Sequence, residues 1–154
     1  MTITYEGATE QVREIVHHHA VLRRGLERRA GTVCDAAASG VPYERQLAAL
    51  REFVDGEVLP HAAAEERTLY RAAVTQARGS DLVRPLIAEH RAMAYLAGRL
   101  EPSADASTAA RVAEWIATLF AGHVAKENDL LLPALAGSGA DLGAMLADMH
   151  PAQA

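Results

Sequence analysis

Apolar residues recur at helical spacing along nearly the whole chain, and no stretch alternates as a half-buried strand would. The first stretch predicts a helix from about Ala8 to Ala38, with Val12, Ile15, Val16, Leu22 and Leu26 on one face. Ser39-Gly40-Val41-Pro42 ends it, and Pro42 suits the first turn of a second helix. That helix carries Leu47, Leu50, Val54 and Val58 and reaches about Ala77, with a kink expected at Pro60, just before His61. Gly79-Ser80 is the next break, with Ser80 expected as the N-cap of a third helix. The third helix runs to about Leu100 on Leu82, Leu86, Met93 and Leu96; Pro85 is tolerable only near its start. Residues 101–107 form a loop. A fourth helix bears Val112, Trp115, Ile116, Leu119 and Phe120 and is expected to end near Pro133. After a turn at Gly137-Ser138-Gly139, a short fifth helix from about Asp141 to Met149 is expected to fold back as a lid. Four long helices on short loops predict an all-α, antiparallel up-down-up-down four-helix bundle with a short C-terminal fifth helix, in one domain.

Polar residues interrupt these stripes where core residues belong. His19 continues the face of Ile15 and Val16 toward Leu22 and Leu26, whereas His18 lies about 100° and His17 about 200° round the helix. His19 is therefore preferred over its rival His18, and His17 is expected in solvent. Val58 leads to His61, Glu65 and Leu69; Leu86 leads to His90 and Met93; Phe120 leads to His123, Glu127, Leu130 and Leu131. In His61–Glu65 and His123–Glu127 an imidazole and a carboxylate stand four residues apart, one turn above each other on the same face. A solvated ion pair would have the same spacing but not the apolar flanks. An ionised glutamate is almost never fully buried unless paired or bound to metal. Metal coordination accounts for all six residues: His19, His61, Glu65, His90, His123 and Glu127. Imidazole and carboxylate donors suit Fe, Mn, Zn or Cu. Four nitrogens and two carboxylates exceed the needs of one tetrahedral zinc and fit a carboxylate-bridged pair of ions. There is also an internal echo: HAAAEERTLYRA at 61–72 aligns with HVAKENDLLLPA at 123–134, which suggests two helix pairs related by an approximate twofold.

Composition narrows the reading further. Half of the residues are hydrophobic but only 5% are aromatic, and the abundance of Ala and Leu favours helices. A net charge of −5 argues against a nucleic-acid surface. No apolar run is long enough to span a membrane, and the N-terminus lacks the basic and apolar regions of a signal peptide. One cysteine, Cys34, rules out an internal disulfide framework and is expected as a small core filler; a cytoplasmic setting is the simplest expectation.

Taken together, H…HxxxE…H…HxxxE at His19, His61–Glu65, His90 and His123–Glu127 resembles the hemerythrin family, in particular the bacterial HHE cation-binding domains. Leu59-Pro60-His61, Glu65-Glu66, Leu69-Tyr70, Glu89-His90 and Leu131-Leu132-Pro133 support the resemblance. It implies a non-haem di-iron centre, oxo- or hydroxo- and carboxylate-bridged, with Mn or Zn as possible substitutes. Glu65 and Glu127 would bridge; His19 and His61 would hold one iron, His90 and His123 the other. Oxygen-carrying members place two histidines one turn apart on the third helix, whereas here Leu86 and Ala94 flank His90. The iron near His90 is thus expected to be more open, or to take water or a carboxylate such as Glu66. The carriers also use an aspartate five residues after the last histidine, where this chain has Glu127 at four.

The remaining polar residues are given lesser roles. Glu66 is expected at the surface or behind a ligand rather than as one, Glu89 in an exposed salt bridge rather than orienting a ligand from outside, Tyr70 packed with its hydroxyl at the rim rather than donating a proton near the site, and His150 on a tail rather than covering the site. Three functions stay open. One is a binding protein for O2, NO or peroxide, used in sensing, scavenging or storage; a sensor would need a separate protein partner. Another is an oxidase, oxygenase or peroxidase acting on O2 or peroxide, whose organic substrate, if any, the sequence does not name. The third is an iron store or sensor whose fold depends on iron occupancy.

Overall fold

A computed structural model describes residues 3–76 and 79–149, with side chains from residue 10 onward. The first rod is α1, Ile3–Ser39. The second is built in pieces: α2 (Glu44–Phe53), a π-helical segment (Val54–Val58), α3 (Leu59–Arg67) and α4 (Leu69–Ala73). The third is α5, Gly79–Gly98. The fourth is α6 (Ala106–Lys126), a second π segment (Glu127–Leu131) and α7 (Leu132–Gly137). A short α8, Leu142–Met149, completes the described elements. No strand occurs among the described residues, and the rods pack as a helical bundle, α1 against α2 and α6, and α5 against α3 and α6.

The expected kink at Pro60 takes the form of a π turn. A proline lacks an N–H and its ring crowds the carbonyl four residues back. Both π segments run into a Leu-Pro pair, and in each the leucine N–H reaches five residues back, Leu59 to Val54 O and Leu132 to Glu127 O. The wider turn makes room for the ring. Pro133 therefore does not end the fourth rod, which continues to Gly137. The π segment also carries more residues per turn, so the helical phase slips after Glu127. Leu131, Leu132 and Leu135 turn inward, and Leu130, expected on the core face, is 49% exposed. Trp115 is a second correction at 55% exposed. The buried face of α6 is centred on Val112, Ile116 and Phe120, which leaves Trp115 at its margin.

Two more boundaries differ from expectation. Thr68 leaves helical geometry, with φ −117° and ψ −83°, so α3 and α4 are separate segments. Ser80 is no N-cap: the Gly79 and Ser80 amides already bond to Gln76 O, one turn back. Gly79 is needed there because a Cβ would sit 2.3 Å from the Ala73 carbonyl oxygen. The fourth rod has a true cap, Asp105, whose carboxylate accepts from the Thr108 amide at 2.8 Å. The expected end of the second helix, Ala77, and His150 lie outside the described residues. Cys34 is half-buried against the core, as expected of a small filler.

The apolar interior forms two clusters. One gathers Leu22, Leu26, Leu50, Val54, Met93, Ile116 and Phe120. The other gathers Ile15, Leu69, Val83, Leu86, Leu131, Leu132 and Leu135. α8 folds back onto α1 and α3 and adds Leu142, Leu146 and Met149 to the second cluster. A polar layer separates the two.

Candidate metal centre

That layer is made of the six residues that interrupt the apolar stripes. α1 supplies His19, α3 His61 and Glu65, α5 His90, α6 His123, and the second π segment Glu127. They are the buried polar or charged residues among those described, and none is more than 7% exposed. The four-residue spacing brings His61 Nε2 to 2.9 Å from Glu65 Oε1 and His123 Nε2 to 3.2 Å from Glu127 Oε1. Between rods, His19 Nε2 lies 2.9 Å from Glu65 Oε1 and 3.6 Å from Glu127 Oε2. His90 Nε2 is 3.5 Å from Glu65 Oε2 and 2.9 Å from His123 Nε2. Atoms of His19, His61 and Glu65 form one group within 4.8 Å of each other; atoms of Glu65, His90, His123 and Glu127 form another. Glu65 belongs to both.

The outer ring nitrogens fix which way the histidines face. His19 Nδ1 meets Asn128 Oδ1 at 2.7 Å, His90 Nδ1 meets Glu66 Oε1 at 2.8 Å, and His123 Nδ1 meets Glu89 Oε2 at 2.8 Å. Amide and carboxylate oxygens only accept, so each Nδ1 is the donor. A neutral imidazole has a single N–H, so the three Nε2 atoms point lone pairs inward. There they meet one another and two carboxylates. Lone pairs 2.9 Å apart, as on His90 and His123, repel unless positive charge stands between them.

Two more interior atoms, His61 Nε2 and Glu127 Oε2, make no hydrogen bond. His61 Nε2 is close enough to Glu65 for ion pairing without hydrogen-bond geometry. A buried polar atom left so costs about 1–3 kcal/mol. Ion pairs to the two glutamates come from histidines among the described residues, with no lysine or arginine partner. Inward lone pairs, unpartnered donor atoms and two buried carboxylates form a cage that fits cations.

Without ions, protons take up part of that charge. Burial opposes charge on His19, yet Glu65 and Glu127 outweigh it and raise its pKa above the usual 6.5. His90 behaves alike: burial lowers its pKa, and Glu65, Glu66 and Glu127 raise it by more. Burial would raise the pKa of Glu65, but His61, His19 and His90 hold it well below 4.5. Burial acts the same way on Glu89, and Lys126 and His123 overcome it.

The other polar residues take definite places around the cage. Glu66 does not turn inward to complete the position near His90. Its side chain is 40% exposed and binds the outer nitrogen of that ring. Glu89 pairs with Lys126 as expected, and also holds His123. Asn128 is not foreshadowed by its own position, because an asparagine one residue after a glutamate carries no signal by itself; its alignment with Glu66 in the internal echo is the available clue. Tyr70 departs furthest. Expected at the rim, it is 1% exposed, with Oη 2.5 Å from Glu127 Oε1, 3.2 Å from His90 Nε2 and 3.3 Å from His123 Nε2. Burial first, then Glu127 and Glu65, push its phenol far above the usual range, so it donates to Glu127 when no ion is present. His18, the rival of His19, is half-buried with its ring 4.9 Å from that of His61, and His17 is exposed.

The family model for the hemerythrin HHE cation binding domain matches residues 10–149, which takes in every residue of the cage. No curated protein and no solved structure gives a significant match.

Proposed function

The chain belongs to the hemerythrin HHE cation binding domain family, and we propose that its cage holds two iron ions and binds O2, NO or peroxide there, for sensing, scavenging or storage. His19 and His61 hold one ion and His90 and His123 the other, with Glu65 and Glu127 spanning both. The observation that carries this reading is the set of Nε2 lone pairs forced inward by Asn128, Glu66 and Glu89. Iron is the metal of choice because a mixed imidazole and carboxylate set suits it; manganese and zinc suit the same donors. The family membership makes a metal cation expected, and the finer elements, iron, its number and its small ligand, are our own reading. In it the four rods alternate in direction, up-down-up-down, so that each faces the cage at one level.

A ferrous pair supplies, when bound, the electrons and coordination positions that O2 or peroxide needs. The chain does the rest. Asn128, Glu66 and Glu89 orient three rings and make them better donors. Before an ion enters, Tyr70 donates its proton to Glu127 Oε1. The two apolar clusters keep bulk water from both ends of the layer. A small ligand is favoured over an organic substrate because none of the six cage residues is more than 7% exposed. The Tyr70 hydroxyl inside the cage favours a second reading, turnover of peroxide, in which the same centre is an oxidoreductase. No helix among the described residues is long and apolar enough to cross a membrane, and the reading places the protein in the reducing cytoplasm, where ferrous iron persists.

The test is anaerobic loading with ferrous iron, metal analysis, then exposure to air. Two irons per chain and a stable, reversible oxygenated spectrum support binding; rapid bleaching with consumption of peroxide supports the enzyme. A chain that takes up no iron, or that only loses helicity on chelation after weak uptake, overturns both in favour of another metal or of iron sensing.

A further inference from the structure

We propose that Tyr70 Oη is itself a ligand to the ion held by His90 and His123, so that one half of the cage has a phenolate oxygen and the other does not. The inference rests on the two-ion reading above.

The break at Thr68 restarts the helix in a new phase, and both Leu69 and Tyr70 become buried. The Tyr70 ring then stacks on His90, with centroids 5.2 Å apart and planes 10° apart. It is packed in the second apolar cluster and is 1% exposed. A phenol has one proton, and the shortest contact gives it to Glu127 Oε1. His90 and His123 already carry their protons on Nδ1, where Glu66 and Glu89 accept them. With both rings neutral, as they are when they coordinate, no proton remains to join Oη to either Nε2, yet Oη lies 3.2 and 3.3 Å from them. Oxygen and two nitrogens thus converge with lone pairs facing. As a hydrogen-bond network this is one proton short for each nitrogen; as the inner shell of a cation it is complete. Tyr70 also stands in the half where Leu86 and Ala94 flank His90 and one imidazole is lacking. Its counterpart in the internal echo, Leu132, is apolar and cannot coordinate.

Coordination breaks the Oη–H bond and forms a metal–oxygen bond. The released proton is taken up by solvent, and no electron moves. An oxygen anion suits a hard ferric ion.

The full chain, loaded with ferrous iron and then oxidised, provides the test. A phenolate bound to ferric iron absorbs visible light by charge transfer, and excitation in that band enhances tyrosinate ring vibrations. The wild type should show both. Tyr70→Phe should lose both while still taking up iron on its histidines and glutamates. The chain has four tyrosines, so a triple variant, Tyr5→Phe with Tyr43→Phe and Tyr95→Phe, leaves Tyr70 alone and must keep the band. That variant decides the matter even where Tyr70→Phe loads poorly. Full iron content with no tyrosinate vibrations overturns the proposal and leaves the two-ion reading intact, as does a band that survives Tyr70→Phe or disappears in the triple variant. Absence of bound iron would instead sink the reading beneath it.

Discussion

The residue after each buried glutamate is Glu66 on one rod and Asn128 on another, and the residue before each lone histidine is Glu89 in one place and His18 in the other. These positions correspond across the two helix pairs. Glu66 accepts from His90 as Asn128 accepts from His19. Glu89 accepts from His123, while His18 lays its ring beside His61. The inward-facing chemistry is therefore nearly duplicated, and the outward-facing chemistry is not. Around His90 and His123 both outer acceptors are carboxylates; around His19 and His61 the neighbours are an amide and an imidazole. A carboxylate on the outer nitrogen makes the ring more electron-rich and a better donor. In the two-ion reading the duplicated layer should hold its ions unequally, with the more tightly bound one at His90 and His123.

The largest effects come from the inward-facing residues. Glu65 belongs to both ligand groups, so Glu65→Ala should empty both positions. His61→Ala and Glu127→Ala should likewise abolish stable binding of two irons. Metal content per chain, by elemental analysis after desalting, checks this; full two-iron occupancy in any of the three would remove the assignment. Next in size is the charge on the outer acceptors. Glu66→Gln and Glu89→Gln keep an acceptor for the ring nitrogen but lose the charge, and each should weaken metal binding about tenfold or more. His18→Ala should do much less. Competition with a chromophoric chelator measures all three, and an equal loss for His18→Ala would erase the distinction between the halves.

Much of this organisation is legible along the chain, because each of the six cage residues lies where an apolar stripe demands a hydrophobic one. Periodicity shows which face a residue occupies for as long as the helix stays regular. It fails wherever the helix changes its pitch. The π turn after Lys126 moves Leu130 out of the core, and the break at Thr68 moves Tyr70 into the cage. Trp115 misleads for a simpler reason: its bulk suggests burial, although its position lies at the edge of the α6 stripe. Asn128 escapes because it occupies a partly exposed position, where a polar residue is ordinary, and for the same reason Glu66 and Glu89 are legible only as candidates for holding a ring from outside.

Acidity separates the loaded from the ion-free protein. Each half contributes one histidine with a raised pKa, His19 and His90. A raised folded-state value stabilises fully below the unfolded value, 6.5, and that contribution is lost as the pH climbs through the folded value. Glu65, held well below 4.5, stabilises above that value and loses its contribution as the pH falls through its folded one. The ion-free fold should thus be firmest in mildly acidic solution and weaken toward alkaline pH. Ions compete with the same protons, so the loaded protein should gain stability as pH rises through the same range. Melting temperatures of chelated and zinc-loaded protein across this interval test it; parallel trends would mean that protons and ions do not share the cage.

The smallest expected change is the most direct test of the asymmetry. Asn128→Glu places at the outer nitrogen of His19 the group that Glu66 presents to His90. If the outer charge sets donor strength, the weaker position should bind its ion several-fold more tightly, by less than the tenfold loss expected for the reverse change because Asn128 already fixes the tautomer. The readout is a stepwise zinc titration by calorimetry, in which two resolved binding events in the wild type should draw together in the variant. If they stay equally far apart, the inequality lies in the inner shell, where Tyr70 faces Leu132, and the outer carboxylates only orient the rings.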